Sequence, residues 1–204
     1  MFYINNENVD QMYEELKNKV IKRKAEFYNL IEFLERETTW LTSPASTKYH
    51  LAIKKGLLIH SVGVAYNMIE IKKTMLPHID DETCIIIGLF HDIGKLGSAN
   101  KPLYIQNESD YYYNPDSVAM GLAVRSLFLA SKYINLSDEE AQAIAYHDGQ
   151  YITENKIIAH KESPLTLLAH YADYWTAHIY ENEKMREKLI SDNLFGDTEK
   201  AAKE

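Results

Sequence analysis

The sequence predicts an all-α protein, a single-domain bundle of six to eight helices. Three observations point there. Apolar residues recur at spacings of three, four and seven along most of the chain. Glycine and proline are scarce, at 8 and 5 in 204 residues. Alternating segments joined by tight glycine turns are nearly absent. The one Asp148-Gly149 pair follows a helical pattern and reads as a helix stop. The length suffices for one sizeable core and is short for two.

The first helix is expected from about Val9 to Arg36, with Met12, Leu16, Val20, Phe27, Leu30, Ile31 and Leu34 on its apolar face. Residues 42–47 form a polar loop around Pro44. A second helix is expected over about Leu57 to Thr74, stopped by Pro77. Asp80 or Asp81 caps a third, about Glu82 to Phe90, which is apolar nearly all round and therefore central. Gly94 to Asn114, with Gly97, Pro102 and Tyr111-Tyr112-Tyr113, reads as a long functional loop. A helix over Pro115 to Tyr133 follows. Ser137 and Glu140 have capping-box spacing for a helix ending near His147. Ser163-Pro164 opens the next, which carries His170 and Asp173. The whole chain, 1–204, reads as one domain: a core over about 43–180, the N-terminal helix 9–36 packed on it, and a charged tail, 181–204, partly frayed.

Composition narrows the partners. The net charge is −8 and the pI about 5.5. An acidic chain has no general attraction for nucleic acid or anionic membrane, so a phosphorylated substrate would rely on a metal and a few placed cations. Cys84 is the only cysteine. It excludes an intramolecular disulfide, suits a reducing compartment and, set in Cys84-Ile85-Ile86-Ile87, reads as core. The N-terminus lacks a basic start followed by an apolar stretch, and the apolar run Cys84 to Phe90 is far short of the roughly 20 residues that span a bilayer. A soluble cytoplasmic protein without a membrane partner is expected.

The chemistry lies where polar residues interrupt apolar segments: His60 in Gly56-Leu57-Leu58-Ile59-His60-Ser61, His91-Asp92 in Leu89-Phe90-His91-Asp92-Ile93-Gly94-Lys95, and Asp173 in Leu168-Ala169-His170-Tyr171-Ala172-Asp173. A buried imidazole or carboxylate without a partner is costly. One divalent cation would satisfy all four groups if they converge. Two imidazoles and two carboxylates suit Mn²⁺, Fe²⁺, Co²⁺, Ni²⁺ or Zn²⁺, with Mg²⁺ also admissible, and exclude a thiolate site.

The ordered words His60, His91-Asp92 and Asp173 resemble those of the HD superfamily of metal-dependent phosphohydrolases. The resemblance runs from about Ser43 to His178. It is closest to the branch holding bacterial HD-type 3′-to-5′ exoribonucleases and related hydrolases, through Gly56 to Ser61, His91 to Lys95, His147-Asp148-Gly149 and Leu168 to Asp173. It implies an HD-domain, phosphodiesterase-like helical fold, with His60, His91, Asp92 and Asp173 holding metal, Lys95 near substrate phosphate and His147 in the same cleft. Two-metal members add two further histidines before the last aspartate. Here only His147 lies in that interval, and 115–127 contains none, so a single ion is expected unless Asp116 or water substitutes.

The expected function is hydrolysis of a phosphomonoester or phosphodiester in a nucleotide-type substrate by a metal-activated water. Asp92 would orient or deprotonate the water, Lys95 would meet a nonbridging oxygen, and His147 would bind phosphate or protonate the leaving oxygen. Two alternatives stand beside it: a 3′-to-5′ exonuclease on short single-stranded RNA or DNA, and a non-catalytic nucleotide-binding regulatory domain. Arg125 is a candidate phosphate clamp, and His50 a candidate at the cleft entrance. His170 supports Asp173 or merely packs. Tyr104 and Tyr111 to Tyr113 stack a base or anchor the loop. His160 and His178 read as ordinary surface residues. The oligomeric state is left open.

Overall fold

A computed structural model describes residues 4–108 and 110–191 of the chain. It is an all-α bundle with two small hairpins. The expected N-terminal helix is two helices, α1 (Val9–Asn18) and α2 (Lys24–Glu37). The break has a distant cause. Glu82 Oε2 accepts the backbone amides of Ile21 (2.8 Å) and Lys22 (2.7 Å), while its Oε1 accepts Arg23 N and Nε, both at 3.1 Å. In an unbroken helix those amides would bond the carbonyls four residues back. Both helices face the core, through Val9, Tyr13 and Leu16 and through Phe27, Leu30, Ile31 and Leu34.

The central pair is α3 (Gly56–Met75) and α4 (Asp81–Phe90). Both are buried over most of their length, as α4's all-round apolarity implied. They pack with almost nothing between them: a Cβ on Gly88 would lie 2.4 Å from Ala65 Cα. A 3₁₀ turn (Ile93–Leu96) follows.

The expected loop over 94–114 is more ordered than its sequence suggests. Two antiparallel hairpins occupy it: β1 (Gly97–Ser98) with β2 (Lys101–Pro102), and β3 (Tyr104–Asn107) with β4 (Asp110–Tyr113), where Tyr104 pairs with Tyr113. Aromatic residues favour pleated backbone, but the turns carry no Asn-Gly or Asp-Gly signal; Glu108 instead adopts φ 54°. The helix expected from Pro115 begins seven residues later, as α5 (Leu122–Ser131). Docking explains the delay. The Arg125 guanidinium takes the carbonyls of Gly94 (3.2 Å) and Val118, and Ser126 Oγ receives Gly94 N–H at 2.8 Å. Gly94 must be glycine here, because a Cβ would sit 2.1 Å from Leu122 O.

Helix α6 (Asp138–Tyr146) opens with the expected capping box between Ser137 and Glu140. Gly149 follows at φ +64°, the left-handed conformation of a helix stop. Two 3₁₀ segments (Gly149–Tyr151, Thr153–Ile158) lead to α7 (Pro164–Trp175), capped by Ser163 Oγ with Pro164 in its first turn. A π-helical turn (Thr176–Tyr180) extends α7, and α8 (Glu183–Ser191) completes the described chain. The start of the tail expected to fray is therefore structured, while 192–204 lie outside the described residues. Among the described residues no helix is long and apolar enough to cross a membrane.

Candidate metal centre

Three elements meet at one point. α3 supplies His60 from its second turn, the end of α4 supplies His91 and Asp92, and α7 supplies Asp173. Asn67, two turns beyond His60, ties α3 to α7 by donating to Ala172 O at 3.1 Å. His60 Nε2 lies 3.0 Å from Asp173 Oδ1, 3.2 Å from His91 Nε2 and 3.6 Å from Asp92 Oδ2. His91 Nε2 lies 3.6 Å from Asp92 Oδ2 and 3.9 Å from Asp173 Oδ1. Two atoms each about 2.1 Å from one ion can be at most about 4.2 Å apart. All of these separations satisfy that limit, and of the four residues, His60, His91 and Asp173 form one potential ligand set.

His147, at the end of α6, adjoins the same group. Its Nε2 is 3.7 Å from Asp92 Oδ1, and with His91 and Asp92 it forms a second potential ligand set. All three rings are oriented from behind. His60 Nδ1 faces Glu181 Oε1 at 2.8 Å, His91 Nδ1 faces Gly88 O at 2.9 Å, and His147 Nδ1 faces Ile144 O at 2.9 Å. Each of these partners is an acceptor, so each Nδ1 carries the hydrogen and each Nε2 turns toward the centre. The Lys95 ammonium closes the cluster 2.6 Å from Asp92 Oδ2.

The electrostatics favour a cation. Burial opposes charge on every member, yet neighbours override it. The Lys95 ammonium and the imidazoles of His91 and His147 hold Asp92 well below the usual carboxylate range. His60, His91 and His147 do the same for Asp173. Burial alone would depress His60, but Glu181 and Asp173 raise it to about 10. Asp92 and Asp148 likewise raise His147 to about 9 against its burial. His91, most affected by burial, falls to about 4 and stays neutral. Two ionised carboxylates thus share the site with one lysine, and His60 and His147, but not His91, favour the protonated form in response. The donors suit a divalent ion that accepts nitrogen and oxygen together.

The HD domain family matches residues 57–187, more than half of the chain. The chain belongs to the HD domain family. The match spans α3 to α8 and so contains every member of the cluster. Neither a curated protein nor a solved structure matches the chain. The family resemblance read from the motifs is thus established at the level of the HD domain, with the branch left open.

The structure sorts the remaining candidates. His50 lies beside the centre, its ring 5.4 Å from that of His60. Tyr104 is buried and lies near Lys95. It stacks obliquely on Tyr113, with centroids 5.4 Å apart. His170 Nδ1 bonds His147 O at 2.8 Å, so it supports the helix end that carries His147 rather than Asp173's face. A cavity of about 230 Å³ on the outer side of His170 contains none of the cluster residues. Arg125 does not serve as the expected clamp: its guanidinium is engaged with the carbonyls of Gly94 and Val118 and braces the loop behind Lys95. Asp116 is exposed and joins none of the potential ligand sets. His160 and His178 are exposed, as expected.

Sequence reasoning missed Glu181. Its side chain is 5% exposed and reaches both His60 and His50 from the segment expected to fray. The tail's charged composition hid it.

Proposed function

We propose that this HD domain is a metal-dependent phosphohydrolase acting on a nucleotide-type phosphoester. The observation that carries the reading is the convergence of imidazole Nε2 atoms and carboxylate oxygens from three elements, within one ion's reach. His60, His91, Asp92 and Asp173 would hold the ion, which supplies Lewis acidity toward a phosphoryl oxygen and acidifies water.

One ion is the better reading. The set with His60 and the set with His147 share His91 Nε2, which has a single lone pair. That leaves His147 for the substrate. With Nδ1–H engaged by Ile144 O, and Asp92 and Asp148 favouring its charged form against burial, His147 is placed to hold a proton on Nε2 toward the cleft. That proton goes to the leaving oxygen. Asp92 would orient the attacking water, which the ion acidifies. The Lys95 ammonium pairs with Asp92 Oδ2 in the resting site and meets a nonbridging phosphate oxygen when substrate enters. Tyr104 lies near that lysine, and Tyr113, which packs obliquely on Tyr104, would offer an exposed aromatic face to a base.

The test uses protein stripped of metal, reloaded with Mn²⁺, Co²⁺ or Ni²⁺, and assayed against nucleoside mono-, di- and triphosphates, cyclic nucleotides and short oligonucleotides. Metal-dependent hydrolysis that disappears in His91→Ala and Asp92→Ala is expected. Mononucleotides released stepwise from oligonucleotides would favour the exonuclease alternative. No turnover with any metal, from protein with a native circular dichroism spectrum, would refute the catalytic reading.

A further inference from the structure

We infer that Glu181 is a positioning residue of the metal centre, setting the direction and basicity of His60 through its Nδ1–H. The inference rests on the metal-binding reading above and adds to it a residue from outside the four-ligand set.

The geometry is that of a carboxylate–imidazole–metal relay. Glu181 Oε1 lies 2.8 Å from His60 Nδ1, while His60 Nε2 faces Asp173 and His91 at 3.0 and 3.2 Å. A carboxylate accepts only, so it fixes the hydrogen on Nδ1 and leaves the Nε2 lone pair for the ion. A competing arrangement is conceivable, because His50, His60 and Glu181 also form a potential ligand set. Filling it together with the main site would require His60 to give up both ring hydrogens. A neutral imidazole has one free lone pair, so His60 serves the ion through Nε2 and Glu181 through Nδ1.

Glu181 reaches the site by a specific backbone device. Asp173 and Glu181 are eight residues apart. An unbroken α-helix turns about 100° per residue, so Glu181 would lie about 80° past Asp173. The π turn over Thr176–Tyr180 absorbs the extra residue, and Glu181 N–H bonds Thr176 O at 3.0 Å, the i→i+5 bond of such a turn. Its entry is fastened by Thr176 Oγ1 on Ala172 O at 2.7 Å, and Asn67 of α3 bonds the same carbonyl. The helix that carries His60 thereby also supports the turn that delivers its partner.

Folding alone does not account for the carboxylate. Its second oxygen, Oε2, is buried without a hydrogen-bond partner, and so is His50 Nε2, 3.8 Å away. A buried, half-satisfied carboxylate destabilises a fold, so its role lies in what it does to His60.

The experiment measures Co²⁺ affinity of the full chain at pH 7.5 by competition with a chromophoric chelator. It adds the visible Co²⁺ spectrum and the melting temperature of the metal-free protein, for wild type, Glu181→Gln and Glu181→Ala. Losing such a support weakens metal binding by about 10–100-fold. Glu181→Ala is expected to show that loss with an altered Co²⁺ spectrum, and Glu181→Gln, whose carbonyl still accepts, a smaller one. Deleting Ala177, which removes the extra residue of the π turn and leaves Glu181 seven residues after Asp173 in a plain α-helix, is expected to keep the carboxylate on the same face and Co²⁺ binding nearer wild type than Glu181→Ala does. The metal-free melting temperatures of the two point variants measure how much of any affinity loss is a loss of fold. Wild-type affinity in both point variants would overturn this inference alone, as would an affinity loss fully matched by a loss of metal-free stability. A wild-type protein that binds no Co²⁺ would overturn the metal reading as well.

Discussion

Changing Glu82 to glutamine tests the cause of the break between α1 and α2. The carboxylate accepts four hydrogen bonds, two on each oxygen. Glutamine keeps one oxygen and turns an NH₂ toward the donors on the other side, so two bonds are lost whichever way it sits. A hydrogen bond to a charged group contributes about 1.5–3 kcal/mol, giving about 3–6 kcal/mol. Ile21 is 76% exposed, so water can reach the released amides there. Arg23 also keeps its pair of bonds to Glu140 at 2.9 and 2.7 Å. The expected loss after that discount is about 3 kcal/mol. With a urea m-value of about 2–3 kcal/mol/M, the midpoint should fall by about 1 M. The assay is urea unfolding of metal-free protein by circular dichroism. The pH dependence has a definite sign. Burial alone would raise the Glu82 pKa, but the backbone amides of residues 21–23 and the Arg23 guanidinium hold it below the ordinary value. A carboxyl depressed on folding contributes fully above its unfolded pKa, about 4.3, and the contribution fades as pH falls through the folded value. The gap between wild type and Glu82→Gln should be constant from about pH 6 to 8 and shrink in acid. A midpoint change below about 0.3 M, or a gap that widens in acid, would refute the reasoning.

Burial pushes the Cys84 thiol up to about 12, so native protein at pH 8 should resist a disulfide thiol reagent and react fully in urea; prompt native labelling would contradict its place in the core. Replacing His170 with alanine removes the bond to His147 O and should lower turnover about tenfold with Co²⁺ affinity unchanged, because a proton donor is displaced and no proposed ligand is; unaltered turnover would show that His147 needs no such support.

Local signals carried much of this architecture into the sequence. The capping box at Ser137, the proline after Ser163 and the apolar Glu82 to Phe90 stretch each act within a few residues, and each element formed where its signal stood. The four-residue donor set was legible because His60, His91, Asp92 and Asp173 interrupt apolar faces that have to be buried. What escaped notice depends on distant partners. Glu82 breaks a helix 60 residues upstream. Arg125 holds residues ahead of α5 out of helix by binding Val118 O. Glu181 enters the site through a π turn, and the 3.6-residue period that locates helices predicts the wrong face for it. The hairpins over 97–113 lack glycine turn pairs, and their strands are too short for alternation to register.

The contact between Gly88 and Ala65 has a consequence for the spacing of the two imidazoles. His60 stands five residues before Ala65 and His91 three after Gly88, so the spacing of the two imidazoles is set where main chain meets main chain. At that crossing no side chain larger than the Ala65 methyl lies between the helices to rotate or thin out. The crossing behaves like a fixed jaw: widening it would have to move one backbone against the other.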